Sequence, residues 1–226
     1  MARPILLSDL IFRKTNMLTK EECAFLISEH DRLKREIELE HCSHATTGID
    51  TYSTFQRVIL RTGTEGRDLV FRATERIVND YMDYLDSFGA FHRDIRSSMV
   101  FSHMYRLLRY DPGEKIHPHI DHDPFIYGSC TFNLNDDYTG GDFVFWKGRH
   151  RCRLSAGEGM VFPADYFWVH EVEPVISGTR FSTNSFLMSI PDPVKQTLIG
   201  IVNEENHNPE YQRFAAIEKY NIKSNP

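Results

Sequence analysis

The alternation of apolar and polar positions divides the chain into a mixed first part and a strand-rich second part. Residues 4–12 read as a short strand. Thr19 and Glu22 then form a T-x-x-E capping pattern ahead of an apolar run that starts at Cys23. That pattern predicts a helix over about 20–38, with Phe25, Leu26, Leu33 and Ile37 available for one face. Residues 41–54 are polar and turn-rich and read as a loop, and 55–61 alternate weakly as a strand. A second helix is predicted over about 67–87, where Leu69, Val70, Ala73, Ile77, Tyr81, Tyr84 and Leu85 recur near helical spacing. Gly89 is placed to end it.

From about residue 98, period-two segments take over. Strands are predicted at 99–110, 115–121, 128–135, 142–146, 151–154, 159–162, 170–175 and 180–189, separated by Gly, Pro and Asp/Asn clusters. Short strands punctuated this regularly point to a sandwich or barrel. A double-stranded β-helix (jelly roll) fits, because it brings strands distant in sequence to one mouth. Asn208-Pro209 sits as a cap and first helical residue before 210–220, so the tail, 191–226, is expected to be helical. The expectation is therefore an α+β chain forming one domain. Residues 1–96 give helical support, 97–190 a jelly-roll core and 191–226 a helical tail.

Composition narrows the class. The 226 residues are enough for one domain with a substantial core. A net charge of −6 gives no bulk argument for nucleic acid or an anionic membrane. No apolar run approaches bilayer length, and the apolar start is short and broken by Ser8-Asp9, unlike a signal peptide. Cys23, Cys42, Cys130 and Cys152 are scattered without a C-x-x-C pair and read as reduced thiols, so a cytoplasmic location is expected.

The chemistry concentrates in two segments. Residues 111–123 hold three histidines and three aspartates. In a strand, His119 and Asp121 point to one face, so an imidazole and a carboxylate can bind one metal side by side. Two histidines and a carboxylate on one face of an octahedron are characteristic of non-haem Fe(II) oxygenases. His170, after a strand-like run and the aromatic cluster Tyr166-Phe167-Trp168, is the candidate third ligand. Arg180 lies ten residues further on, in a run that puts Arg180, Ser182 and Asn184 on one face. Its guanidinium suits bidentate capture of a carboxylate.

Other readings of the same residues stay open. His117 and His119 share a strand face and raise a cupin-like H-x-H site, but the next glutamate is as distant as Glu158. His122 and Asp123 read as surface or supporting groups, with Asp123 the next carboxylate to test. Tyr110 either packs or hydrogen-bonds a ligand. Lys147, Arg149, Arg151 and Arg153 alternate as the wet face of a hairpin, or as a docking surface over which residues 41–54 could close. Gly140-Gly141 reads as a hairpin turn.

Taken together, H-x-D, a histidine about fifty residues later and an arginine ten beyond it resemble the 2-oxoglutarate/Fe(II) dioxygenases. The prolyl-4-hydroxylase branch is the most similar. Tyr110 and Gly113, the stretch from Phe132 to Asp137 with Gly140-Gly141, and Pro174-Val175 before Gly178 add to the likeness. It covers roughly residues 97–190. Ile116 and Asn133 depart from it, standing where the family has an aromatic residue and a tyrosine. The resemblance implies Fe(II) held by His119, Asp121 and His170, and 2-oxoglutarate gripped by Arg180 with help from Tyr110 and Ser182. It also implies O2 as co-reactant, with ascorbate a further candidate, and hydroxylation of carbon coupled to release of succinate and CO2. A prolyl residue in a peptide or protein is the expected substrate, with a free amino acid or other small molecule as the alternative. A non-catalytic sensing domain on the same fold and a nucleic-acid oxygenase are the readings from other classes, and both are disfavoured.

Overall fold

The computed structural model of the protein describes residues 4–43, 50–121, 125–189 and 212–213. A short 3-10 turn, Leu7–Leu10, precedes β1 (Phe12–Lys14), where one strand over 4–12 was expected. The capping box forms as predicted: Glu22 N donates to Thr19 Oγ1 at 3.2 Å, and Thr19 N donates to Glu22 Oε2 at 2.8 Å. It starts α1 (Lys20–Arg32), which stops short of the predicted end. A 3-10 turn, Lys34–Glu36, turns the chain into β2 (Glu38–Ser43), which pairs with β3 (Asp50–Ile59). Within the predicted loop at 41–54, residues 41–43 and 50–54 are therefore strand, because the β4 edge gives β3 a partner that local polarity does not reveal; 44–49 lie outside the described residues. The second helix, α2 (Glu65–Ser87), takes Thr64 as N-cap, and Gly89 follows at φ +61°.

The remaining strands are β4 (Phe101–Tyr110), β5 (Ile116–His119), β6 (Ile126–Asn133), β7 (Thr139–Gly140), β8 (Phe143–Phe145), β9 (His150–Cys152), β10 (Gly159–Pro163), β11 (His170–Val172), β12 (Val175–Ser177), β13 (Arg180–Met188) and β14 (Gln212–Arg213). The large sheet runs β1-β10-β6-β13-β4-β3-β2, with β14 also on β4, and the smaller one runs β5-β11-β8-β9. The chain therefore alternates between sheets: β4 large, β5 small, β6 large, β8–β9 small, β10 large, β11 small, β13 large. That alternation is the double-stranded β-helix, in an α+β setting. Gln212–Arg213 pair as strand inside a stretch expected to be helical; the rest of the tail, with His122 and Asp123, lies outside the described residues.

Two cores hold the layers. Val70, Ile77 and Tyr81 of α2 pack with Cys130 and Phe132 of β6 and Leu187 of β13 beneath the large sheet. Phe143, Phe145, Met160, Phe162, Trp168 and Val172 fill the space between the sheets. Each fully buried side chain of this size contributes roughly 1.5–3 kcal/mol relative to exposure. Along β6 and the start of β13 the inner face of the large sheet turns polar: Ser129, Thr131 and Asn133 of β6 and Arg180 and Ser182 of β13 are all buried. Cys23, Cys130 and Cys152 are buried free thiols, as expected.

Candidate active site

Pairing of β5 with β11 sets His119 directly opposite His170. The chain past β5 carries Asp121 back to them. One ligand atom from each of His119, Asp121 and His170 lies within 4.8 Å of the others. Asp121 Oδ1 is 3.3 Å from His119 Nε2, and Oδ2 is 3.5 Å from His170 Nε2. Both imidazoles turn Nδ1 to a carbonyl two residues earlier: His119 to His117 O at 2.8 Å, and His170 to Trp168 O at 3.0 Å. A proton held on Nδ1 leaves the Nε2 lone pair facing the cluster, as a metal ligand requires.

The electrostatics favour a deprotonated set. Burial, helped by the neighbouring His119, pushes His170 down to about 4. Burial alone would raise the Asp121 carboxyl, but His170, His119 and the Ser129 hydroxyl outweigh it and hold it well below the usual range. Phe145 stacks on the His170 ring at 5.6 Å and Phe162 meets it edge-on at 4.9 Å, which excludes water from that side.

Arg180 stands opposite Tyr110 across β13 and β4. It is 1% exposed, its guanidinium lying between the rings of Tyr110 at 4.9 Å and Phe143 at 5.3 Å. Its Nε and Nη1 have no hydrogen-bond partner among the described residues. A buried guanidinium with unused donors is costly unless a ligand accepts them. Ser182 shares the Arg180 face and is buried too. Tyr110 also stacks on Phe55 at 4.8 Å, so its ring is packed as well as set against the Arg180 guanidinium.

Several other residues find structural roles. Glu158 pairs with Arg13 at 2.7 Å, away from His117, which leaves the cupin-like reading without its acid. Asn133 is buried and donates to the carbonyls of Asn135 at 2.6 Å and Leu154 at 3.0 Å. Ile116 packs beside Phe55, Leu108, Tyr110 and Val175. Arg151 is bound by Glu173 and Asp142, and Arg153 by Asp142 and two turn carbonyls, so these two are engaged within the protein.

Sequence reading missed Ser129, whose hydroxyl donates to Asp121 Oδ2. The available signal was the alternation Ser129, Thr131, Asn133 along β6, polar on one face and apolar on the other. The aromatic clamp on Arg180 was missed as well.

Residues 105–188 match the family model of the 2OG-Fe(II) oxygenase superfamily. That segment contains the whole His119–Asp121–His170 cluster and Arg180, so the match to the 2-oxoglutarate/Fe(II) dioxygenases falls on the candidate site. A PKHD-type hydroxylase of Sphingopyxis alaskensis is 34% identical over 109 residues, covering 43% of this chain and 50% of the relative. The chain thus spans about half the length of the curated relatives it matches. Two solved structures share the fold. The viral collagen prolyl hydroxylase of Paramecium Bursaria Chlorella virus-1, in a 2OG complex, superposes with TM-score 0.58 at 15% identity, over 80% of this chain and 97% of that one. A prolyl hydroxylase of Trichoplax adhaerens, bound to a hypoxia-inducible-factor peptide, gives 0.59 at 12% identity, over 84% and 87%. Two imidazoles with one carboxylate fit Fe(II), and the unused donors of Arg180 fit a carboxylate of 2-oxoglutarate. Among the described residues, no helix is long and apolar enough to cross a membrane.

Proposed function

We propose that the protein is a 2-oxoglutarate- and Fe(II)-dependent dioxygenase that hydroxylates an unactivated carbon, releasing succinate and CO2, with a prolyl residue in a peptide or protein as substrate. The observation that carries the reading is the cluster of His119, Asp121 and His170 within 4.8 Å, together with Arg180 of the large sheet, buried with two nitrogens that have no hydrogen-bond partner among the described residues.

In this reading His119, Asp121 and His170 hold the metal, and Arg180 grips the distal carboxylate of 2-oxoglutarate. Tyr110 and Ser182 line its path. Fe(II) and 2-oxoglutarate, when bound, supply the O2-dependent oxidation. The chain's own part is to fix both imidazole tautomers through backbone carbonyls, to orient Asp121 through Ser129, and to keep water away with Phe145 and Phe162. The same reading treats residues 1–226 as one domain. The prolyl assignment leans on the fold shared with prolyl hydroxylases and on the PKHD-type relatives.

The test is succinate release and product mass in a metal-reconstituted assay across proline peptides, free amino acids and oligonucleotides. Hydroxylated peptide with matching succinate is expected. Hydroxylation of a free amino acid alone would overturn the substrate class, and a metal-loaded protein that neither binds nor consumes 2-oxoglutarate would overturn the whole reading.

A further inference from the structure

We propose that Arg153 is a positioning residue for the cosubstrate pocket, acting through the Tyr138–Gly141 turn on Arg180. The inference rests on the reading of Arg180 as the cosubstrate anchor, and it gives part of the basic run 147–153 a purpose.

Arg153 binds the turn at several points. Its Nη2 donates to Tyr138 O at 2.7 Å, while Nη1 donates to Gly140 O and, at 3.1 Å, to Asp142 Oδ1. Its guanidinium also lies 4.0 Å over the Tyr138 ring. The tip of that ring is held too, because Tyr138 Oη donates to Asn133 Oδ1 at 3.2 Å. Tyr138 is therefore fixed on its face and at its hydroxyl, and it is 5% exposed.

Gly141 is wedged between this ring and the Arg180 stem. A Cβ there would come 3.0 Å from Arg180 Cδ, 3.2 Å from Tyr138 Cε2 and 3.2 Å from a Val175 methyl. Gly140 is as tight on its other side, where a Cβ would meet Pro174 O at 2.3 Å. Gly141 is thus more than part of a turn: its missing side chain leaves the slot in which the Arg180 stem runs toward the rings of Tyr110 and Phe143. Arg153 holds the outer wall of that slot. Without it, Tyr138 and the turn gain freedom and the guanidinium loses its fixed aim. A planar, forked donor is needed for this, since Arg153 stacks and binds separate acceptors at once.

Arg151 provides the control. It comes from the same hairpin and carries the same charge, but it binds Glu173 and Asp142 and, among the described residues, donates to no turn carbonyl.

The experiment is calorimetric titration of 2-oxoglutarate into the Mn(II)-loaded protein, with a separate Mn(II) titration, for the parent, Arg153→Met, Arg153→Lys and Arg151→Met. Arg153→Met should weaken 2-oxoglutarate binding by roughly two- to thirtyfold while Mn(II) affinity stays put. Arg153→Lys should recover only part, and Arg151→Met should match the parent. If Arg153→Met does not fold, Gly141→Ala, which crowds the slot from inside, should give the same split between the two ligands. The inference falls if Arg153→Met binds 2-oxoglutarate as tightly as the parent, if Arg151→Met loses as much, or if Mn(II) affinity drops in step. It also falls if Gly141→Ala, standing in for an unfolded Arg153→Met, shows no split. A parent that binds no 2-oxoglutarate would instead refute the reading of Arg180, and this inference with it.

Discussion

The sharpest test of the metal site is Ser129→Ala, because the residue touches no metal in the proposed scheme. Its hydroxyl donates to Asp121 Oδ2, leaving Oδ1 facing His119 Nε2 at 3.3 Å. A hydrogen bond to a charged group contributes about 1.5–3 kcal/mol, and supporting partners of metal ligands typically change affinity about 10–100-fold. Ser129 is 3% exposed, so water cannot readily take over the hydroxyl's place. Ser129→Ala should therefore weaken Fe(II) or Mn(II) binding by at least about tenfold. The assay is competition against a chromophoric chelator at fixed pH under argon. Thr131→Val is the control: Thr131 lies two residues along the same strand face, but its hydroxyl donates to Thr183 O at 3.1 Å instead. Equal metal affinity in Ser129→Ala and the parent, or an equal loss in Thr131→Val, would refute the reasoning.

Further outcomes follow from the same geometry. Arg180→Lys keeps the charge but loses the fork, so it should raise the 2-oxoglutarate Kd by about tenfold or more while Mn(II) affinity holds; parallel titrations check this. His117→Ala should leave metal affinity within about twofold, because what His119 uses is the His117 carbonyl; a loss as large as that of His119→Ala would revive the H-x-H reading. Burial, with the Arg106 charge second, pushes His103 down to about 4 from 6.5, so the folded state keeps it neutral where the unfolded chain takes up a proton. Its stabilisation is present above pH 6.5 and lost as pH falls toward 4, by at most about 3 kcal/mol. Urea midpoints for the parent and His103→Gln should converge over that window, and parallel curves would refute the assignment.

Why some of this was legible and some was not comes down to the range over which each signal acts. Helix starts are local events. Thr19 with Glu22, and the apolar period of 3.6 that starts at Leu69, announce themselves because cap and face lie within one or two turns. The end of α1 and the hairpin of β2 with β3 are not local. Leu33 and Ile37 keep helical spacing, but the chain beyond Arg32 is drawn into pairing with Arg57 and its neighbours, and so joins the β4 edge. Similarly, the expected strand over 170–175 splits into β11 and β12 around Glu173-Pro174, since proline has no N–H for a ladder.

The site divides along the same line. His119 and Asp121 could be paired from sequence because spacing of two in an extended chain puts both on one face. His170 and Arg180 join them as candidates on the resemblance to the 2-oxoglutarate/Fe(II) dioxygenases, whose spacing they match. What surrounds them has no such spacing. Nothing in the run of residues tells which serine reaches Asp121, or that Gly141 leaves room for an arginine stem. The tautomer of each histidine is set by backbone: His119 and His170 both use a carbonyl two residues back, and a carbonyl belongs to every residue type. Substitutions that spare the backbone at 117 and 168 can therefore alter packing without redirecting the imidazole lone pairs. The imidazoles at this centre are aimed by main-chain carbonyls and the carboxylate by the Ser129 side chain, while in the proposed reading the grip on the cosubstrate depends on the side chains that wall in Arg180.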